Sequence, residues 1–164
     1  MTLTTAMQER ITDTGYEVAP TTLRDITYLA PRLRKQDADE IYALRGMQPL
    51  EALTECYRSS HRCITARFNG NAFAMFGTVR VDDDHANIWL LGSHEIKHHR
   101  REFLKQSRRW LDELHAEFVT LSNHVDARNT EHIRWIRWLG FNVDEGPVSI
   151  GHEGRPFYYF SDTK

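Results

Sequence analysis

The sequence has few cysteines, no long apolar segment and almost no net charge. Cys56 and Cys63 are the only two cysteines in 164 residues, so we expect reduced thiols that pack as small apolar side chains. No apolar run approaches the roughly 18 residues of a transmembrane helix, and residues 1–15 lack the apolar stretch of a signal peptide. The formal net charge of −2 excludes a general attraction to nucleic acid or anionic membranes.

The small net charge is unevenly distributed along the chain. Residues 94–109 contain six lysines and arginines but only two acidic residues, which gives this segment a net charge of +4. The rest of the chain therefore carries −6. A solvated helix face would produce this pattern, and so would a surface for an anionic ligand or partner.

The sequence predicts a strand, a loop and a helix between Ala86 and Glu117. Residues 86–92 form a short apolar run that ends at a glycine, which is typical of a buried central strand. Ser93 can cap the start of a helix, and apolar residues then recur every three or four positions from Phe103 to Phe118. A strand that leads into a helix with a basic first turn is a common arrangement for binding an anion.

The remaining segments predict further strands and short helices around this centre. We expect strands at residues 16–19, 61–68, 72–81, 118–125, 141–143 and 156–160. We expect helices at residues 23–30, 38–45 and from Pro49 onward, and a helix that Asn129 or Thr130 caps and Gly140 ends. The order predicts one α/β domain, residues 16–164, after an N-terminal arm, residues 1–15.

This order of elements resembles the GNAT (GCN5-related N-acetyltransferase) fold over residues 16–160. Residues 88–114 and residues 129–141, which end on Leu139-Gly140-Phe141, carry the resemblance. A narrower resemblance is to small GNAT-like proteins of tailed bacteriophages, which include the small internal virion proteins of T7-like podophages. The segments that carry it are residues 49–53, 89–92, 123–126 and 132–135.

The resemblance implies a mixed central sheet with flanking helices and a site for acetyl-CoA. In GNAT enzymes, backbone amides of a glycine-containing loop after the central strand bind the pyrophosphate. The positions that correspond to cofactor contacts are Leu91, Gly92, Arg100, Arg101 and Asn129. Residues 93–101 contain no glycine, however, and the position of the general-acid tyrosine is Ile136, which cannot donate a proton. The resemblance therefore implies a degenerate cofactor site.

Two functions are consistent with these residues. The first is a phage virion-associated protein, internal, structural or ejected, that has no cofactor and resides in the virion or the host cytoplasm. Its expected partners are other virion proteins, with nucleic acid as the lesser alternative, and its expected contact residues are Lys97, Arg100, Arg101, Arg108, Arg109, Trp135 and Trp138. The second is an active N-acetyltransferase that modifies a host or phage protein, in which Arg100 and Arg101 hold acetyl-CoA by charge.

Two further motifs have both a catalytic and a structural interpretation. His94, Glu95 and His98 match the H-E-x-x-H zinc motif, but several cations adjoin it, so we expect a solvated basic turn and no zinc. His124 and Asp126 end the strand after the central helix. They could supply a general base, although capping of the next turn is the stronger expectation.

Overall fold

A computed structural model describes residues 15–164 of the chain. The strands are β1 (Tyr16–Pro20), β2 (Arg62–Phe68), β3 (Asn71–Arg80), β4 (His85–Gly92), β5 (Thr120–Asp126), β6 (Asn142–Val143), β7 (Val148–Ile150) and β8 (Arg155–Thr163). The α-helices are α1 (Leu23–Leu29), α2 (Lys35–Arg45), α3 (Pro49–Ser59), α4 (Arg100–His115) and α5 (Thr130–Trp138). The predicted arm lies outside the described residues, apart from Gly15, and the division at residue 16 stays a prediction.

The strands form one mixed sheet in the order β1-β2-β3-β4-β5-β8-β6, and β7 pairs with β8. All neighbouring strands are antiparallel except β4 and β5, which run parallel. The β4–β5 pairing covers only three residues on each strand and ends at Asn87 and Ser122. The predicted fold class, a mixed sheet with flanking helices, is confirmed. Because the parallel pairing is short, β4 and β5 separate beyond it, and the cleft described below lies there.

The helices cover the two faces of the sheet in separate layers. On one face, α1, α2 and α3 pack against β3 and β4 through a cluster that includes Ile26, Leu29, Ile41, Leu53, Met75 and Leu91. On the other face, α4 and α5 pack through Phe103, Leu111, Leu114, Ile133 and Ile136. The apolar spacing predicted for α4 therefore matches its buried face, with Phe103, Ser107, Leu111 and Leu114 fully inside.

Several element ends follow the predicted capping residues. Asn129, one of the two predicted caps, accepts from the His132 N–H at the start of α5. Gly140 has φ +99°, the left-handed conformation expected of glycine after a helix. The agreement reflects local interactions that are visible in the sequence.

The starts of two helices differ from the prediction, and one strand was not predicted. Helix α2 begins at Lys35 instead of Ala38, because an ion pair between Arg34 and Asp37 stabilises an additional first turn. Helix α4 begins at Arg100, and residues 94–99, which Ser93 caps, form a 3₁₀ helix. The His99 ring interrupts the helix there because it packs between Phe68 and Phe73, at 4.4 and 4.8 Å. Strand β7 was not predicted because its three residues give too short a pattern.

Candidate functional site

A cleft of about 480 Å³ opens where β4 and β5 separate. Side chains from both helical layers line it, so the cleft reaches through the sheet instead of lying on one face. Its apolar lining includes Ile41 and Leu44 of α2, Trp110 and Leu111 of α4, Ile136 of α5, and Leu139 just after α5. A mostly apolar concave space with a few polar groups is the usual form of a binding site.

The Asn123 side chain forms the closed end of the cleft. Its Nδ2 donates to the carbonyl of Ile88 at 2.6 Å, and its Oδ1 accepts from the backbone N–H of His124 at 2.7 Å. In a regular parallel ladder the next hydrogen bond would join those two backbone groups directly. The carboxamide therefore takes the place of one backbone rung, and the strands separate beyond it.

Two carboxylates of α2 lie across the open end. Asp37 accepts from the backbone N–H of Gly92 at 3.0 Å. Glu40 accepts from the backbone N–H of Asp126 at 2.6 Å. Asp37 is completely buried and is neutralised by the Arg34 guanidinium at 2.9 Å. Two backbone donors beyond the β4–β5 ladder, one on each strand, are thus bound by side chains of the protein itself.

Gly92, a predicted cofactor contact, has both backbone groups engaged. Its N–H donates to Asp37, and its carbonyl accepts from the N–H of Arg34 at 2.9 Å. A Cβ at this position would lie 2.0 Å from Cδ1 of Ile96. The close approach that glycine allows is therefore used by the Ile96 side chain. Leu91, the residue before it, is buried in the core beneath α1, α2 and α3.

Asn129, another predicted contact with the cofactor, is also engaged within the protein. It is 2% exposed. Its Nδ2 donates to Asp37 at 3.3 Å, and its Oδ1 accepts from the N–H of His132 at 3.4 Å. The side chain thus joins the start of α5 to α2, and a contact with pantetheine stays a prediction.

A second cavity, of about 320 Å³, adjoins the first and has a basic rim. Leu90, Phe103, His132 and Trp135 line both cavities. The rim carries Lys97, Arg100 and Arg134, together with the single acid Glu131 and the paired Arg34. Arg100 thus lies at the mouth of the cleft, whereas Arg101 is exposed and lines neither cavity.

One group of the described residues has the composition of a metal site. Ligand atoms of Asp37, Glu40 and His132 lie within 4.8 Å of one another. The Asp37 carboxylate already accepts from Arg34, Gly92 and Asn129, which occupies its lone pairs. The Arg34 charge beside it would repel a cation, so these residues fit an internal ion pair better than a metal.

The H-E-x-x-H motif does not have the backbone of a zinc peptidase. Residues 94–99 form a 3₁₀ helix, whereas the motif needs its two histidines on one face of an α-helix. His94, Glu95 and His98 are all exposed, and Nδ1 of His98 lies 3.2 Å from a Glu95 oxygen. This geometry confirms the predicted solvated turn.

Asp126 confirms the capping interpretation, whereas His124 remains in the cleft. An Asp126 oxygen accepts from the N–H of Arg128 at 2.8 Å, and the Arg128 guanidinium pairs with the carboxylate at 2.7 Å. Burial raises the pKa of Asp126, but the Arg128 hydrogen bonds and charge outweigh burial and lower it overall. His124 lines the cleft, and burial lowers the pKa of its imidazole, opposed in part by Asp144. Ile136 is 3% exposed and offers no proton donor.

The exposed side of α4 meets an aromatic residue of α5. The Arg108 guanidinium lies 4.0 Å from the centre of the Trp138 ring, and Trp138 is 46% exposed. Trp135, by contrast, stacks on Phe103 and His132 at 5.7 Å and faces the cleft. The two tryptophans predicted as partner contacts therefore belong to different surfaces.

Solved structures of acetyltransferases share this fold. Ard1 from Thermoplasma volcanium is 14% identical, with 91% of this chain and 97% of that chain covered and a TM-score of 0.72. The spermidine N-acetyltransferase of Vibrio cholerae, in complex with CoA and spermine, is 13% identical, with 92% and 96% covered and a TM-score of 0.64. At these identities the similarity defines the fold alone, and the fold is that of the GNAT acetyltransferases.

Residues 62–145, just over half of the chain, match the family described as "Bacteriophage T7, probable scaffold protein Gp13". The chain belongs to this family, which confirms the predicted connection with bacteriophages. A comparison with curated protein sequences gives no match. Among the described residues no helix is both long and apolar enough to cross a membrane.

The acids of α2 that close the site, Asp37 and Glu40, and Arg34 just before that helix were not among the predicted site residues. Arg34, Asp37 and Glu40 recur every three residues, which places them along one side of a helix. Asp37 also lies four residues before Ile41, an apolar residue of the predicted helix at 38–45, so the two share one side of the helix. That spacing was the available signal: it predicts a buried acid, and a buried acid needs a charged partner.

Proposed function

We propose that the protein is a virion-associated phage protein that uses the GNAT fold as a binding module, with a degenerate acetyl-CoA site. Its family membership supports a role in the phage particle or its assembly. The observation that carries the proposal is the engagement of Gly92, whose N–H is bound by the buried carboxylate of Asp37. A carboxylate occupies the position where an anionic cofactor would need a donor.

Binding of coenzyme A at this position would require Asp37 to move. Breaking a buried ion pair costs about 3–5 kcal/mol, which corresponds to a loss of affinity of roughly a hundredfold to several thousandfold. Ile96 covers the glycine, and no other glycine in residues 93–101 allows a backbone approach to a pyrophosphate. Both facts support weak or absent cofactor binding.

The basic face of α4 is the proposed contact with another virion protein. Arg101, Arg108 and Arg109 are exposed, and the pairing of Arg108 with Trp138 adds a flat aromatic surface. Arginine and tryptophan are the residues most often found at energetically important interface positions. The net charge of −6 on the rest of the chain opposes binding to nucleic acid and supports an acidic protein surface as partner. The resemblance to internal virion proteins supports a location inside the particle.

Titration calorimetry with acetyl-CoA tests the proposal. We expect no binding at concentrations up to about 1 mM. A micromolar Kd that is lost in the Arg100→Ala, Arg134→Ala variant, but kept in the Lys35→Ala control, would contradict the proposal. Lys35 is the matched control because it is an exposed cation of α2 whose ion pair with Asp39 lies on the surface.

An active N-acetyltransferase remains the second candidate because the basic cavity adjoins the cleft. Arg100 and Arg134 could attract the phosphates, and His124 in the cleft could accept a proton. Release of free CoA thiol from acetyl-CoA in the presence of phage or host proteins would support this candidate. No release, together with no cofactor binding, would favour the binding module.

A further inference from the structure

We propose, on the basis of the binding-module function above, that the cleft between β4 and β5 receives an extended apolar peptide segment of another virion protein, with acidic residues at one end of that segment. Three features of the cleft support this occupant: a backbone pair on β4 that has no partner within residues 15–164, apolar walls on both sides of the sheet, and a basic mouth.

The free backbone pair belongs to Leu90. The Ser93 N–H donates to the Phe73 carbonyl. In the register of β3 and β4, every second residue from Asn87 to Ser93 therefore directs its N–H and C=O toward β3. Leu90 consequently presents both groups toward β5, where pairing has already ended. Asn123 occupies the position before it and Asp37 the position after it. A peptide residue can supply the missing pair of hydrogen bonds, as in β-strand addition.

The apolar walls fit a chain that is extended. Successive side chains of a strand point to opposite faces, and the cleft is lined from both helical layers. Cys56 of α3 and Trp89 of β4 lie on one side, and Phe103 and Trp135 lie on the other. A peptide that pairs with Leu90 would bury one side chain in each layer.

The charges orient the proposed peptide. Within residues 15–164, neither Arg100 nor Arg134 has an acidic partner, whereas Nζ of Lys97 lies 3.7 Å from a carboxylate oxygen of Glu131. These side chains surround the mouth that adjoins Leu90. Glu40 lines the interior of the cleft and disfavours an acidic residue there. The acidic end of the peptide therefore lies at the mouth, and its apolar part lies inside.

The experiment is a selection from a random library of displayed peptides of about nine residues, with the full-length protein as target. We expect enriched peptides that combine alternating apolar residues with Asp or Glu at one end and bind with a micromolar Kd. Binding should change the tryptophan fluorescence, because Trp89, Trp110 and Trp135 line the cleft. Methylation of one central peptide nitrogen should abolish binding, since it removes a hydrogen bond to Leu90.

Charge reversal provides the matched comparison. The Arg100→Glu, Arg134→Glu variant should bind the selected peptides at least about tenfold more weakly, and the Arg24→Glu, Arg58→Glu control should bind them unchanged. Arg24 and Arg58 are exposed on the α1–α3 layer, away from the mouth.

Two outcomes would overturn the inference. One is a selection that yields no peptides, and the other is a set of peptides that bind both charge variants equally or tolerate methylation at every position. If acetyl-CoA also fails to bind, only the peptide assignment is lost and the proposed function stands. If acetyl-CoA binds with a micromolar Kd and displaces the peptides, the proposed function itself is wrong.

Discussion

Asp37 and Glu40, three residues apart on α2, each hold a different strand of the divided sheet. Asp37 accepts from the N–H of Gly92 on β4. Glu40 accepts from the N–H of Asp126 on β5. Residues at this spacing lie on one side of a helix, so α2 bridges the gap that the β4–β5 ladder leaves open and fixes its width.

The Asp37→Asn variant should unfold more easily than the wild-type protein. The substitution keeps an acceptor for Gly92 but leaves the buried Arg34 guanidinium with only the half-exposed Glu131, at 3.9 Å, as a charged neighbour. Loss of the buried partner should lower the free energy of unfolding by about 3–5 kcal/mol. Urea denaturation measures the change. Asp39→Asn, which affects only a surface ion pair with Lys35, should change it by less than about 1 kcal/mol. Equal effects of the two variants would show that the buried pair is not stabilising.

Acidification below about pH 6.5 should destabilise the protein in part through His99. Burial between aromatic rings lowers the pKa of His99, and the nearby His98 lowers it further against the opposing effect of Glu95. The unfolded chain therefore binds a proton in a pH range where the folded chain does not, so stability falls as the pH falls from 6.5 toward the folded pKa.

The His99→Phe variant separates this contribution from those of other histidines. Phenylalanine fits the same aromatic surroundings and leaves no buried Nε2 without a partner. The variant should have a higher free energy of unfolding than the wild type in urea denaturation, and the difference should be greater at about pH 5.5 than at about pH 8. His94→Gln, a substitution at an exposed position, is the control. An advantage that is independent of pH would contradict the role of His99.

The two cysteines should react slowly with thiol reagents in the folded protein. Burial raises the pKa of Cys56 and of Cys63 to about 11, so the thiolate is a very small fraction at neutral pH. Labelling with a chromogenic disulfide at about pH 8 should proceed only as the chain unfolds and should be complete in concentrated urea. Fast labelling of either cysteine without denaturant would show an accessible thiol.

Charge reversal on the outer face of α4 should reduce incorporation into phage particles. The Arg101→Glu, Arg108→Glu variant removes two exposed cations and replaces them with repulsive charges, whereas it leaves the cleft mouth intact. Quantitative immunoblotting of purified particles measures the copy number, with Arg24→Glu, Arg58→Glu as the control. Equal copy numbers for all variants would show that the α4 face is only solvated.

The fold was predictable from local patterns, whereas the site depended on distant contacts. The spacing of Phe103, Leu111 and Leu114 and the cap at Asn129 are properties of single helices, so the sequence revealed them. The residues that bind Gly92 and Asp126 come from α2, more than fifty positions earlier in the chain. No local pattern indicates such partners.

The same reason explains the less accurate site assignments. The family resemblance predicted the same role, contact with the cofactor, for the adjacent residues Arg100 and Arg101. Only Arg100 reaches a cavity, because neighbouring helical residues point about a quarter turn apart. The H-E-x-x-H spacing is present in the sequence, but its chemistry requires an α-helix. Helix α4 begins only after this segment, where the His99 ring packs on Phe73.

The short β4–β5 ladder divides the sheet into two leaves of four strands, β1 to β4 and β5 to β8. Beyond the ladder the leaves are joined by side chains alone, so the amide protons of Gly92 and Asp126 are sheltered by helix α2 and not by a neighbouring strand. Hydrogen exchange at these two amides therefore measures how often α2 separates from the sheet. Amides inside each leaf, by contrast, should exchange only with global unfolding. The exchange rates of these two amide protons thus measure how often the two leaves of the sheet separate.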